Sequence, residues 1–390
     1  MKHSPRTSIA VPLRCALAAC LLGLSLVPRH ATAQDPAAKQ GEKDKKEKQE
    51  KKEKKEKKKK DGSAPTDSVA TPPLFAAEAP LAVTFTVNFG HLRTDKGDAA
   101  PWRAATMTYA GSDGKPVVVP LKVKSHGIWR LKHCGMPPMR LNFSNTQTKG
   151  TLFHDVQKPK MVSVCKNNDG YEQLVLKEMQ LYRVYQVLTP MSHRVRTLRV
   201  AYADSASGRV ESTRYAFLIE DPDELADRLG GTMTKTKGAT ADDMETEPLA
   251  IAFLFEYLIG NLDFSFNQLH NGEVVMKHDA SLAIPVAYDF DFSGAVNAPY
   301  ATVDPQFKSR RITERVFRGY CTLVPAYGPV FALFQQKKAA IYALYHDDVG
   351  KLLEPGVVRE SLAYFDDFYE DIKTPRDAQD RVLRSCVGPR

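Results

Sequence analysis

Leu81-Ala82-Val83-Thr84-Phe85-Thr86-Val87-Asn88-Phe89 alternates apolar with polar or small residues, the period-2 pattern of a strand with one buried face. Working outward, residues 104–109 and 117–124 read as a strand pair around the turn cluster Gly111-Ser112-Asp113-Gly114. Residues 140–143 and 160–164 read as further short strands, and 195–202 with 214–220 as a pair joined by a turn at 205–208. Between them, residues 172–188 carry apolar side chains at helical spacing up to the break at Pro190, and 223–229 make a short helix stopped by Gly230-Gly231. The expectation is a β-rich, antiparallel segment over 81–231. Residues 232–248 are polar and serve as a connector, and beyond them 249–259, 327–344 and 357–372 are expected helices of a mainly helical segment, 249–390. The fold class is α+β.

Composition agrees with a packed body, since 43% of the 390 residues are hydrophobic and 18 Phe and 15 Tyr are among them. The net charge of +9 suggests nucleic-acid binding only until it is divided along the chain. Residues 1–33 contribute +4, and residues 42–60, with twelve Lys against six Asp or Glu, contribute +6. The remainder from 61 onward is almost neutral, so nucleic acid is not an expected partner of the fold.

Residues 1–33 have a basic start, an apolar run from Cys15 to Val27 and an Ala31-Thr32-Ala33 end, the features of a signal peptide, so the expected location is exported. The run is short of the ~20 residues of a spanning helix, and no transmembrane span is expected in the mature chain. Residues 34–80 read as a tether, with the Lys/Glu tract at 42–60 suited to contact with an anionic surface. Removal of the leader takes away Cys15 and Cys20. Cys134, Cys165, Cys321 and Cys386 remain, which allows one or two disulfides and three complete pairings.

The chemistry is expected at Asn261-Leu262-Asp263-Phe264-Ser265-Phe266-Asn267 and at Tyr288-Asp289-Phe290-Asp291-Phe292-Ser293-Gly294. Carboxylates and amides placed among apolar residues need compensation, and their hard oxygens suit Mg2+ or Mn2+. In a regular strand Asp289 and Asp291 share one side. His270 and His278 lack helical i, i+4 spacing for a zinc site, and no G-x-S-x-G or G-x-G-x-x-G motif occurs. Paired carboxylates also leave a metal-dependent hydrolase as a rival reading.

The order of these features, from strand-rich segment and Lys through a helix with Glu to the two Asp clusters, resembles the secreted kinases typified by spore coat protein H, the CotH family. The resemblance spans roughly residues 81–320. It implies a bilobal, protein-kinase-like fold with a β-rich N-terminal lobe and a helical C-terminal lobe. It also implies phosphoryl transfer from ATP to a protein or other envelope acceptor. Asp263 would orient the acceptor hydroxyl; Asn267, Asp289 and Asp291 would hold the metal; Lys160 would reach the phosphates and Glu178 would pair with it. Arg130, Arg140 and Glu220 complete the nucleotide contacts so implied. Ser125-His126-Gly127 stands where the family often has Arg-Gly, and the rival implied by such departures is a surface-tethered protein that binds without catalysis.

Overall fold

Among the described residues, seven strands of the first half lie near the expected places. They are β1 (Leu81–Val87), β2 (Arg103–Ala110), β3 (Pro116–Ser125), β4 (Met139–Phe143), β5 (Lys160–Val162), β6 (Val195–Asp204) and β7 (Val210–Ile219). The computed structural model describes residues 70–95, 100–127, 129–136, 138–279, 282–307 and 309–388. The expected leader at 1–33 and the Lys/Glu tract lie outside these residues. All the described residues belong to one unit, Pro65–Arg390.

The bilobal kinase-like expectation is overturned here. The strands form a closed barrel in the order β1-β2-β3-β4-β5-β7-β6. Its closure is a parallel pairing of β6 with β1 that runs from Leu81 opposite Leu198 to Val87 opposite Asp204. Every other pairing around the barrel is antiparallel, so the sheet is mixed rather than wholly antiparallel. The physical reason is that closure removes both sheet edges and lets one face become a filled interior. Phe85, Met107, Val119, Leu121, Leu141 and Leu218 are among the side chains buried there.

Outside the barrel, helix α2 (Asp169–Leu188) packs on β7 and β6; Asn168 caps its start by accepting the N–H of Tyr171. A second sheet joins β8 (Gly231–Met233) to β9 (Gly272–Lys277) and β9 to β10 (Ile284–Ala287). The first residues of the expected connector thus lie in a strand of this sheet. Helix α4 (Thr246–Ile259) packs on the Ile284–Ala287 strand, and α5 (Val324–Ala343) and α6 (Pro355–Asp371) pack on α4, all within a residue or three of the expected bounds. Leu176, Tyr182, Phe217, Phe255, Phe290 and Phe368 belong to one apolar cluster, so α2 is the shared wall between barrel and helices. Each such side chain contributes about 1.5–3 kcal/mol on burial. Among the described residues no helix is long and apolar enough to cross a membrane.

The four cysteines among the described residues pair as Cys134–Cys165 and Cys321–Cys386. The first ties the end of α1 (Trp129–His133), in the β3–β4 connection, to the chain just after β5. The second ties the start of α5 to the C-terminal segment.

Candidate functional site

Lys160 opens β5, and because Met161 faces the barrel interior, Lys160 faces outward. Its Nζ lies 3.0 Å from Oδ1 of Asp289. Asp289 itself is not in a strand. β10 ends at Ala287, and Asp289 takes a left-handed backbone with φ 63°, its N–H donating to the Tyr182 hydroxyl at 2.8 Å. The expectation of two aspartates on one side of a regular strand is therefore corrected; the left-handed residue turns the chain between them.

Glu178 and Tyr182 stand four apart on α2 and share the face turned to this loop. Glu178 is 2% exposed and Asp291 6%, with Asp291 Oδ2 accepting from the Tyr300 hydroxyl at 3.1 Å. Arg130, on α1, is also buried, and its Nη2 donates to the Ser163 carbonyl. Glu178 Oε1 and Arg130 Nε have no hydrogen-bond partner. Trp129 closes the region by packing at a 34° tilt on Tyr300 at 4.9 Å and meeting Phe292 edge-on at 5.9 Å.

The electrostatics divide the three carboxyls. Burial, then the Asp291 and Asp289 charges, push Glu178 well above the carboxylate range, against Arg130 and Lys160. Burial and Asp289 also push Asp291 up to about 6. Burial acts the same way on Asp289, but the Lys160 ammonium, by charge and hydrogen bond, with Arg130 and His126, holds it below the usual range. One ionised and two reluctant acids thus sit beside two cations.

A hard divalent cation fits this donor set. Among the described residues no three His, Cys, Asp or Glu side chains form a ready metal cage. Magnesium does not need one, since it is held by one or two carboxylates with substrate phosphates and waters completing the shell. Asp289 and Asp291 would supply those carboxylates. The unpartnered Glu178 oxygen and Arg130 nitrogen mark a place where a cation and an anion would complete the contacts.

Asp263 lies in a separate setting. Gly260, at φ 62°, ends α4 with a left-handed cap and turns the chain into the Asp263 loop. A β-carbon at Gly260 would lie 2.1 Å from the Tyr364 hydroxyl, so only glycine fits. Asp263 Oδ1 meets His270 Nε2 at 2.7 Å, and Oδ2 accepts from Asn271 Nδ2 at 3.1 Å. The pair lines a cleft of 630 Å³ with Ser265, Gln268, Phe292 and Arg318. Phe292, next to Asp291, is the link between this cleft and the buried acids.

The remaining expected residues are dispersed. Asn267 donates to the Ala239 carbonyl at 3.1 Å and accepts from Gln268 at 2.6 Å, so both ends of its amide are engaged away from Asp289. Glu220 accepts from Arg228 Nε at 2.9 Å and from the Arg194 N–H at 3.0 Å, a clamp joining β7, β6 and helix α3 (Pro222–Arg228). Arg140 faces Asp221 at 3.8 Å. His278 gives its N–H to the Gly230 carbonyl.

No model of a known protein family matches the chain, and no curated protein matches it. The site therefore has to be read from its own geometry. Sequence reasoning did not find Tyr182, Tyr300, Asn271 or the pairing of His270 with Asp263. For Tyr182 a signal existed, its i+4 spacing from Glu178; for Tyr300 none did, because a loop brings it back.

Proposed function

We propose that the Asp289 cluster binds a divalent cation with the phosphates of ATP and that the chain transfers a phosphoryl group to a hydroxyl of a protein or envelope polymer. The observation that carries this reading is the pair of unpartnered buried atoms, Glu178 Oε1 and Arg130 Nε, beside the Lys160–Asp289 ion pair. The resemblance at the two Asp clusters supplies the choice of ATP. When bound, the cation would neutralise charge on the phosphates. Lys160 and Arg130 would hold the phosphate oxygens, and Trp129 with Phe292 would limit water. The acceptor oxygen would bond to the terminal phosphorus as its bond to the bridging oxygen breaks, ADP leaving with that oxygen. The acceptor would approach through the cleft that Phe292 shares with the buried acids, where Asp263, which lines that cleft with His270, would receive the hydroxyl proton.

A second reading, binding without transfer, draws on Asn267, whose amide is already engaged within the protein. Thermal unfolding of the chain with MgCl2 and ATP, alone and together, tests the first reading. Binding at a hundredfold excess over the dissociation constant stabilises by about 2.7 kcal/mol. Asp289→Asn, which tolerates the left-handed backbone, should lose that shift. An unchanged melting curve for the natural chain, or an equal shift in Asp289→Asn, would overturn the assignment.

A further inference from the structure

The register of the barrel aligns three cations that are far apart in sequence. Lys124 of β3 stands opposite Arg140 of β4, and Arg140 opposite Lys160 of β5. In each strand the flanking residues Val123, Ser125, Met139, Leu141 and Met161 are buried, so the three charged side chains share the outer face. At a strand spacing of about 4.8 Å they form a row roughly 10 Å long. Like charges directly opposite one another oppose the pairing of strands. Two carboxylates answer the row, Asp221 at 3.8 Å from Arg140 in its middle and Asp289 at 3.0 Å from Lys160 at one end. Lys124 lies over the Trp102 ring at 5.4 Å.

His126 lies next to this row. Burial first, then the charges of Arg140 and Lys160, push its imidazole down to about 4, with Lys124 adding to them and Asp289 opposing. A neutral imidazole offers a hydrogen-bond donor where a further cation would be repelled. The row and the neutral histidine beside it describe a track for several linked anionic groups rather than for one.

We infer that a linear chain of linked phosphates lies across β3, β4 and β5, held by Lys124, Arg140 and Lys160, with Lys124 binding the part farthest from Asp289. The inference deepens the phosphoryl-transfer reading and rests on it only for the source of the phosphates, the tail of a nucleotide or an inorganic polyphosphate. Charge-assisted contacts from three in-line side chains discriminate a chain of phosphates from a single one by the number of contacts made.

The test uses the full chain with inorganic tripolyphosphate, orthophosphate and Mg-ATP as probes, read by calorimetry and by ligand-dependent melting. The natural chain should bind tripolyphosphate without added metal and at least tenfold more tightly than orthophosphate. Lys124→Gln should weaken tripolyphosphate about tenfold, with Lys124→Arg, which keeps the cation over Trp102, restoring it. Lys132→Gln, on α1 and off the row, should bind as the natural chain does, and residues 42–60 contribute equally to all variants. Failure of the natural chain to prefer tripolyphosphate, equal binding by Lys124→Gln, or an equal loss in Lys132→Gln would overturn the track. Tripolyphosphate bound through Lys124 with no response to Mg-ATP would keep the track and remove the nucleotide. Loss of Mg-ATP binding in Asp289→Asn, with no effect of Lys124→Gln on either probe, would keep the nucleotide and remove the track.

Discussion

Replacing Glu178 by Gln removes a titrating group from the buried cluster with little change of shape, and it asks whether that carboxyl keeps its proton in the folded chain. Burial and the two neighbouring aspartates raise it well above its ordinary 4.5. Above that pH the unfolded chain releases the proton and the folded chain retains it, so the folded state binds one more proton and its stability falls as pH rises. The contribution is complete below the unfolded value and is lost progressively until the folded carboxyl itself ionises. The slope is about 1.4 kcal/mol for each pH unit over which the folded carboxyl keeps its proton. Urea unfolding of the natural chain and Glu178→Gln at pH 4, 5, 6 and 7 measures the difference directly. The two should keep a constant offset near pH 4, and the natural chain should lose ground to the variant at higher pH. A difference that stays constant from pH 4 to 7 would mean that Arg130 keeps Glu178 ionised, and the account of the cluster would be refuted.

Because ligating carboxylates must be deprotonated, magnesium-dependent ATP binding should tighten about tenfold per unit as pH rises toward 6, the value to which Asp291 is pushed, and level off above it. Calorimetry across pH 5–8 on the natural chain and on Asp291→Asn checks this, with the dependence flattened in the variant. Converting Cys321 and Cys386 to Ser opens a loop of sequence separation 65 and should cost about 4 kcal/mol on the chain-entropy account. The same change at Cys134 and Cys165, separation 31, should cost somewhat less, and peptide mapping without reductant should recover both cross-linked pairs.

Much of the local structure was legible from residue order. The alternation at Leu81–Val87 and the apolar spacing within Asp169–Leu188 each report a local period, and neither depends on a distant partner. Lys160, Glu178, Asp289 and Asp291 were also singled out from the sequence, and the fold brings them to one cluster with Arg130. Asp263 and Asn267 were grouped with them because both clusters set carboxylates and amides among apolar residues and both carry the resemblance. Gly260 and the pairing of Asp263 with His270 give the Asp263 loop a setting of its own. The strand expected around Asp289 failed because a single left-handed residue, invisible in the apolar pattern, breaks the alternation.

Sequence by itself determined the strands, the main helices and the residue types able to compensate charge, because those follow from periods of two and 3.6 and from the chemistry of side chains. Closure of the barrel, the disulfide partners and the row from Lys124 to Lys160 were decided only in three dimensions. Each depends on which surfaces meet across long stretches of chain, and a linear pattern records that a face is buried without recording what covers it.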